Sequence, residues 1–140
     1  MAGKLLTSLA PGYSALVIGA SGGVGHAIAN SLESDPNCSN TVRLSRRVDQ
    51  LDITDEESVH LAADRFQSTS FDLIVCATGA LTIDGVGPEK SIHQISMMNQ
   101  FAVNAIGPAL LLKYFVPLLA KKKRGDPRFP VGSRGVDWRQ

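Results

Sequence analysis

The sequence predicts an α/β fold, a parallel sheet with helices on both faces. Three observations carry this. Apolar runs of strand length alternate with segments of helical spacing, the mark of β-α-β units. The first and last of these runs are apolar throughout rather than at every second residue, as expected of strands covered on both faces. The first run ends at a cluster of glycines that opens directly into a helical segment.

Each element can be justified in order. Ser14-Ala-Leu-Val-Ile-Gly19 is too short for a helix and follows Pro11-Gly12, so it reads as a buried strand. Val24–Leu32 has helical spacing, with Val24, Ile28 and Leu32 on one face, Ala27 beside them, and Asp35-Pro36-Asn37 as the stop. Thr41–Ser45 is a second strand and Leu51–Ile53 a third. Thr54 with Glu57 three residues on forms a capping box, and the helix it opens places Val59, Ala62, Ala63 and Phe66 together. Phe71–Ala77 is a fourth strand. A Gly- and Pro-bearing loop, Thr78–Lys90, leads to a long, mostly helical pattern over Ser91–Lys121. The sheet therefore has about four to five strands.

Composition sets the outer bounds. The 140 residues are 44% hydrophobic and 19% charged, which fits one globular domain and excludes disordered, collagen-like and disulfide-scaffold chains. The longest apolar stretch, Phe101–Ala120, is interrupted by Asn104, Gly107, Pro108, Lys113 and Pro117, so no membrane span is expected. Cys38 and Cys76 lack metal-ligand spacing, and no export signal precedes them. Two free thiols in the cytoplasm are expected, with no bound metal. The net charge of +1 conceals a basic end: residues 121–140 hold seven Lys and Arg against two Asp. The Lys121–Arg128 cluster raises nucleic-acid binding as a third function class. A basic run after a helix more simply complements the helix dipole, and no nucleic-acid partner is expected.

The glycine cluster carries the chemistry. Gly19-Ala-Ser21-Gly22-Gly23-Val24-Gly25 lies between strand and helix, where main chain can approach a pyrophosphate and the helix N-terminus offers unpaired N–H groups. Gly25 lacks a side chain where helix and strand must pack closely. The spacing is G-x-x-x-G-x-G, and here the chain resembles the short-chain dehydrogenase/reductase family. Four more segments match in order: Leu44-Ser-Arg-Arg47, Leu51-Asp-Ile-Thr54, Cys76-Ala-Thr-Gly79 and Val103-Asn-Ala-Ile-Gly107. The resemblance spans residues 14–120 and implies a Rossmann-like, C-terminally truncated fold. Residues 1–131 would form the NADP-binding portion and residues 132–140 an irregular tail.

The resemblance implies a dinucleotide held by Gly19, Ser21, Gly22, Gly23, Val24 and Gly25, with Ala77, Thr78 and Gly79 against the adenosine ribose. Asp52 would contact adenine or cap the next turn. Ala77 and Gly79 serve equally for tight packing at a strand end. Where an NAD site carries an acid at the end of the second strand, this chain has Arg43, Ser45, Arg46 and Arg47 and no acid before Asp49. Arginine pairs with phosphate through charge-assisted bonds, so NADP(H) is expected over NAD(H), with Ser45, Arg46 and then Arg47 as the contacts.

Pro108 cannot donate to the carbonyl of Asn104, which predicts a kink and a spare acceptor. By resemblance that carbonyl belongs to a proton relay, making Asn104 the catalytic candidate. The relay's Tyr-x-x-x-Lys pair is absent: Tyr13 is followed four residues later by Val17, and Tyr114 by Leu118. Ser133 falls near the family's serine, but no convincing strand leads into it. The expectation is an NADP(H)-dependent oxidoreductase of carbonyl or alcohol substrates by resemblance, inactive alone. The alternative is a non-catalytic NADP(H)-binding or dimerisation module. A frameshift, early stop or gene fragment would give such a chain, with low stability or association through an open sheet edge. The Ser91–Lys121 helical region would form a homo-oligomer seam by resemblance, or simply intrachain core.

Overall fold

A computed structural model describes Leu6, residues 8–82 and residues 92–121. Three parallel strands, β1 (Tyr13–Ile18), β2 (Cys38–Leu44) and β3 (Leu73–Cys76), lie in the order β2-β1-β3. Helices α1 (Gly23–Glu33), α2 (Arg46–Asp49), α3 (Glu56–Asp64), α4 (Gln94–Phe101) and α5 (Gly107–Phe115) connect and cover them. A π-helical turn, Ala102–Ile106, joins α4 to α5, and a 3₁₀ turn, Val116–Leu118, ends the run.

β1 is central and buried on both faces, and its side chains divide by the period of two expected of a strand. Tyr13, Ala15 and Val17 face Ala29 and Leu32 of α1. Leu16 and Ile18 face Val59, Ala62 and Ala63 of α3 and Leu111 and Phe115 of α5. The register Leu16↔Val42 and Leu16↔Ile74 keeps the strands' apolar rows aligned across the sheet. At the start of β1 the Tyr13 hydroxyl donates to Asp35 at 2.9 Å, which pins the strand to the turn after α1. Burial first, and then that carboxylate, hold the Tyr13 phenol well above its ordinary pKa, so it remains protonated.

The fold class is as the sequence predicts, and four details are corrected. The described residues form three strands rather than four or five. Leu51–Ile53 is not a strand: the Asp52 N–H donates to Ser58 Oγ at 2.9 Å, and the chain turns there, with Leu51 entering the core on its own. Asp55, not Thr54, caps α3, accepting from the Glu57 N–H at 3.1 Å. The buried face of α1 is Gly25, Ala29 and Leu32, while Val24 is 71% exposed. The kink before Pro108 takes the form of the π turn, a wider winding that dispenses with the missing proline donor. By length and composition alone, the helical run Gln94–Leu118 could cross a membrane (mean hydropathy 1.5), which the interrupted apolar stretch did not suggest. Here α5 covers the sheet, with Leu111 and Phe115 buried. The tail at 132–140, Ser133, Ser91 and the basic cluster beyond Lys121 lie outside the described residues.

Candidate functional site

The chain passes from β1 to β2 on one side and reaches β3 on the other. A crevice therefore opens beyond the carboxyl ends of β1 and β3, the place where open α/β sheets hold ligands. A cleft of about 700 Å³ occupies it. Gly19 ends β1 at its floor, with φ +87°, a backbone that L side chains rarely adopt. A Cβ on Gly19 would sit 2.6 Å from the Ala77 carbonyl oxygen, so only glycine lets the two strand ends meet. Gly25 serves the same end from α1, since a Cβ there would overlap the Gly19 carbonyl oxygen.

Gly22 is the N-cap of α1 and supplies no side chain to its first turn, which also lacks an acidic residue. The positive end of the dipole is thus available to an anion. Gly19, Ser21 and Gly22 line the cleft. Gly23, Val24 and Gly25 do not; they build the helix behind it.

The turn after β2 separates the arginines. Arg43 faces α1, donating to both carboxylate oxygens of Glu33 at 2.7 Å and to Asn30 Oδ1 at 2.6 Å. The Arg43 hydrogen bond first, and its charge, lower the Glu33 pKa. Ser45 and Arg46 line the cleft, and Arg47 does not. Ser45 is buried and caps α2, its Oγ accepting from the Val48 N–H at 3.3 Å. Asp52 also lines the cleft. Its Oδ1 accepts from the Thr54 hydroxyl at 2.7 Å and N–H at 2.9 Å, and these bonds, with Arg46 nearby, hold its carboxyl below the usual range. The capping role weighed for Asp52 is thus realised, on the turn that precedes α3.

Ala77, Thr78 and Gly79 form the far wall of the cleft after β3. Asn104 bonds to that wall through its side chain, a contact that sequence spacing could not show. Its Oδ1 accepts from the Ala80 N–H at 2.9 Å, and its Nδ2 donates to the Ala80 carbonyl at 2.8 Å and to Gln100 Oε1 at 2.8 Å. Thr82, Asn99 and Val103 also line the cleft, and of these only Val103 carried a motif signal.

Neither tyrosine reaches the cleft. Tyr13 is buried between β1 and α1, and the Tyr114 hydroxyl donates to Glu56 Oε1 at 2.8 Å, tying α5 to α3 beside Lys113. Among the described residues no cluster of His, Cys, Asp or Glu has metal-binding geometry. Both cysteines are free thiols.

No protein-family model matches the chain. Human 17-beta-hydroxysteroid dehydrogenase type 1 is 28% identical over an alignment 144 positions long, covering 86% of this chain and 42% of the relative. A solved small-chain dehydrogenase superposes with TM-score 0.62 at 24% identity, covering 79% of this chain and 54% of that one. A Burkholderia multivorans protein assigned to the short-chain dehydrogenase/reductases, solved with bound NADP, gives 0.61 at 19% identity, covering 79% and 55%. The NADPH-bound carbonyl reductase from chicken fatty liver gives 0.58 at 22% identity, covering 78% and 49%. The chain thus spans about half the length of the relatives it matches. In the order of its motifs, in sequence and in fold, the chain is similar to the N-terminal portion of the short-chain dehydrogenase/reductase family.

Proposed function

We propose that this chain binds NADP(H) in the cleft between β1 and β3, as the cofactor-binding portion of a carbonyl or alcohol oxidoreductase. The observation that carries this is the cleft itself. It joins the open N-terminus of α1, the close glycine contact at Gly19 and the cation of Arg46 around one cavity. Ser21 and Gly22 would meet the pyrophosphate, Ala77–Gly79 the ribose, and Ser45 and Arg46 the 2′-phosphate. Asp52 flanks the adenine end. Gly25 packs against the loop from behind, Gly23 and Val24 begin α1 outside the cleft lining, and Arg47 lies beyond direct reach. The NADP and NADPH bound to structural neighbours support a dinucleotide. The choice of NADP over NAD rests on Arg46.

The nicotinamide would supply hydride chemistry when bound. Asn104 holds the cleft wall at Ala80, and its carbonyl is offered to a relay because Pro108 cannot donate to it. A relay also needs a phenol near the reacting carbon, and both tyrosines are engaged elsewhere. We therefore read the chain as inactive alone. A non-catalytic NADP(H)-binding or dimerisation module, rather than a portion of an enzyme, is the second reading. The exposed Ile95, Met98, Phe101 and Leu112 on α4 and α5 favour association of this helical region, with a second copy as the partner. Two free thiols suit the cytoplasm. The test is NADPH fluorescence on titration with the purified chain, followed by addition of a test aldehyde. Enhancement without consumption is expected. Consumption would overturn the inactive reading, and unchanged fluorescence the cofactor reading.

A further inference from the structure

We propose that Asp49 is a positioning residue for 2′-phosphate recognition, holding the turn that keeps Arg46 at the cleft. This rests on the NADP(H) reading above. Four-residue α2 has too little backbone hydrogen bonding to hold its own shape. Side chains close it instead. The Ser45 N–H donates to Asp49 Oδ2 at 2.8 Å, the Asp49 N–H donates to the Ser45 carbonyl at 3.0 Å, and Ser45 Oγ accepts from the Val48 N–H. The first and last of these reproduce the reciprocal logic of a capping box, with the acid one residue later than usual. Arg65 Nη2 lies 3.5 Å from Asp49 Oδ1, whose side chain is only 12% exposed. Gln50, at φ +58°, then turns the chain away.

The arrangement resolves a charge conflict. An acid three residues beyond Arg46 would repel a phosphate if it faced the cleft. Here the carboxylate is turned onto the Ser45 N–H and opposed by Arg65, so within this turn Arg46, and not Asp49, presents its charge to the cavity, which Asp52 lines from the next turn. Charge and geometry consequently predict opposite signs. Removing the acid favours a phosphate by charge, whereas loosening the turn disfavours it.

The test is calorimetric titration of the full chain with NADPH and NADH, for wild type, Asp49→Ala, Asp49→Glu, Asp49→Asn, Arg46→Ala and the double variant Asp49→Ala/Arg46→Ala. Circular dichroism checks that each is folded. The NADPH-over-NADH preference is expected to fall about tenfold in Asp49→Ala. It falls also in Asp49→Glu, which keeps the charge but displaces the acceptor and serves if the alanine variant does not fold. Asp49→Asn retains the acceptor and most of the preference. Asp49→Ala has no further effect on the preference once Arg46 is absent. An unchanged or raised preference in Asp49→Ala, or an equal fall without Arg46, overturns the role of Asp49 and leaves the cofactor reading intact. A wild-type chain that binds neither dinucleotide, or both equally, overturns the cofactor reading and this inference with it.

Discussion

Gly25→Ala is the sharpest perturbation of the glycine loop. Helix propensity alone predicts that alanine within α1 stabilises the protein by up to about 1 kcal/mol. The structure predicts the opposite. The new Cβ would overlap the Gly19 carbonyl oxygen and lie 2.8 Å from the Gly19 carbonyl carbon and 3.2 Å from Ala20 Cα. All three are backbone atoms at the junction of β1 and α1, so no side-chain rotation relieves the contact. Overpacking of this kind costs about 1–3 kcal/mol and sometimes more, and here it falls on a backbone that cannot give locally. A net loss of about 2 kcal/mol follows, or roughly 4–8 °C in Tm for a chain of this size. Gly23→Ala is the matched control: its Cβ would meet nothing within 4 Å, and a gain of a few tenths to about 1 kcal/mol is expected. Urea denaturation followed by circular dichroism measures both. A Gly25→Ala midpoint equal to or above wild type would refute the argument that Gly25 exists for close packing.

Arg46→Ala should weaken NADPH roughly tenfold, about 1.4 kcal/mol, and leave NADH within about twofold, whereas Arg47→Ala changes neither appreciably in calorimetry. Asn104→Ala removes the paired bonds to Ala80 and should cost about 1–2 kcal/mol in a thermal melt, with Asn104→Asp no better because it loses the donor. Asp52 gives a pH signature. Its folded pKa is depressed, so its stabilisation is present above the ordinary carboxyl pKa and is lost as pH falls through the lower folded value. Thr54→Val should therefore lower the urea midpoint at neutral pH, with the difference from wild type closing as pH falls below the ordinary carboxyl range and Asp52 becomes protonated in both. Leu112→Glu, at a position 64% exposed on α5, should abolish any dimer in sedimentation without lowering the melting temperature of the monomer.

The parts legible in the sequence are those governed by local pattern. β1 was readable because both of its faces are buried, making it apolar throughout, and because Gly19 marks its end. The cleft floor and Arg46 followed from that placement. The misreadings share a physical cause, that hydrophobicity does not say how a residue is buried. Leu51 is apolar because it fills the core from a turn, not because it belongs to a strand. On α1 the helical period points to the large Val24 and Ile28, yet close approach to β1 puts the small Gly25 and Ala29 inside. The Asn104–Ala80 pairing joins residues 24 apart, beyond any local pattern. The split between Arg43 and Arg46 was likewise invisible, since it depends on Glu33 and Asn30 across the β2–α1 contact.

The central claim is that the cleft between β1 and β3 binds a dinucleotide and that Arg46 selects its 2′-phosphate. Calorimetric titration of the purified chain with NADPH, and with NADH alongside, tests it most directly. Saturable NADPH binding at one site, about tenfold or more tighter than NADH, is the predicted result. Binding of neither, or NADH tighter than NADPH, would contradict it.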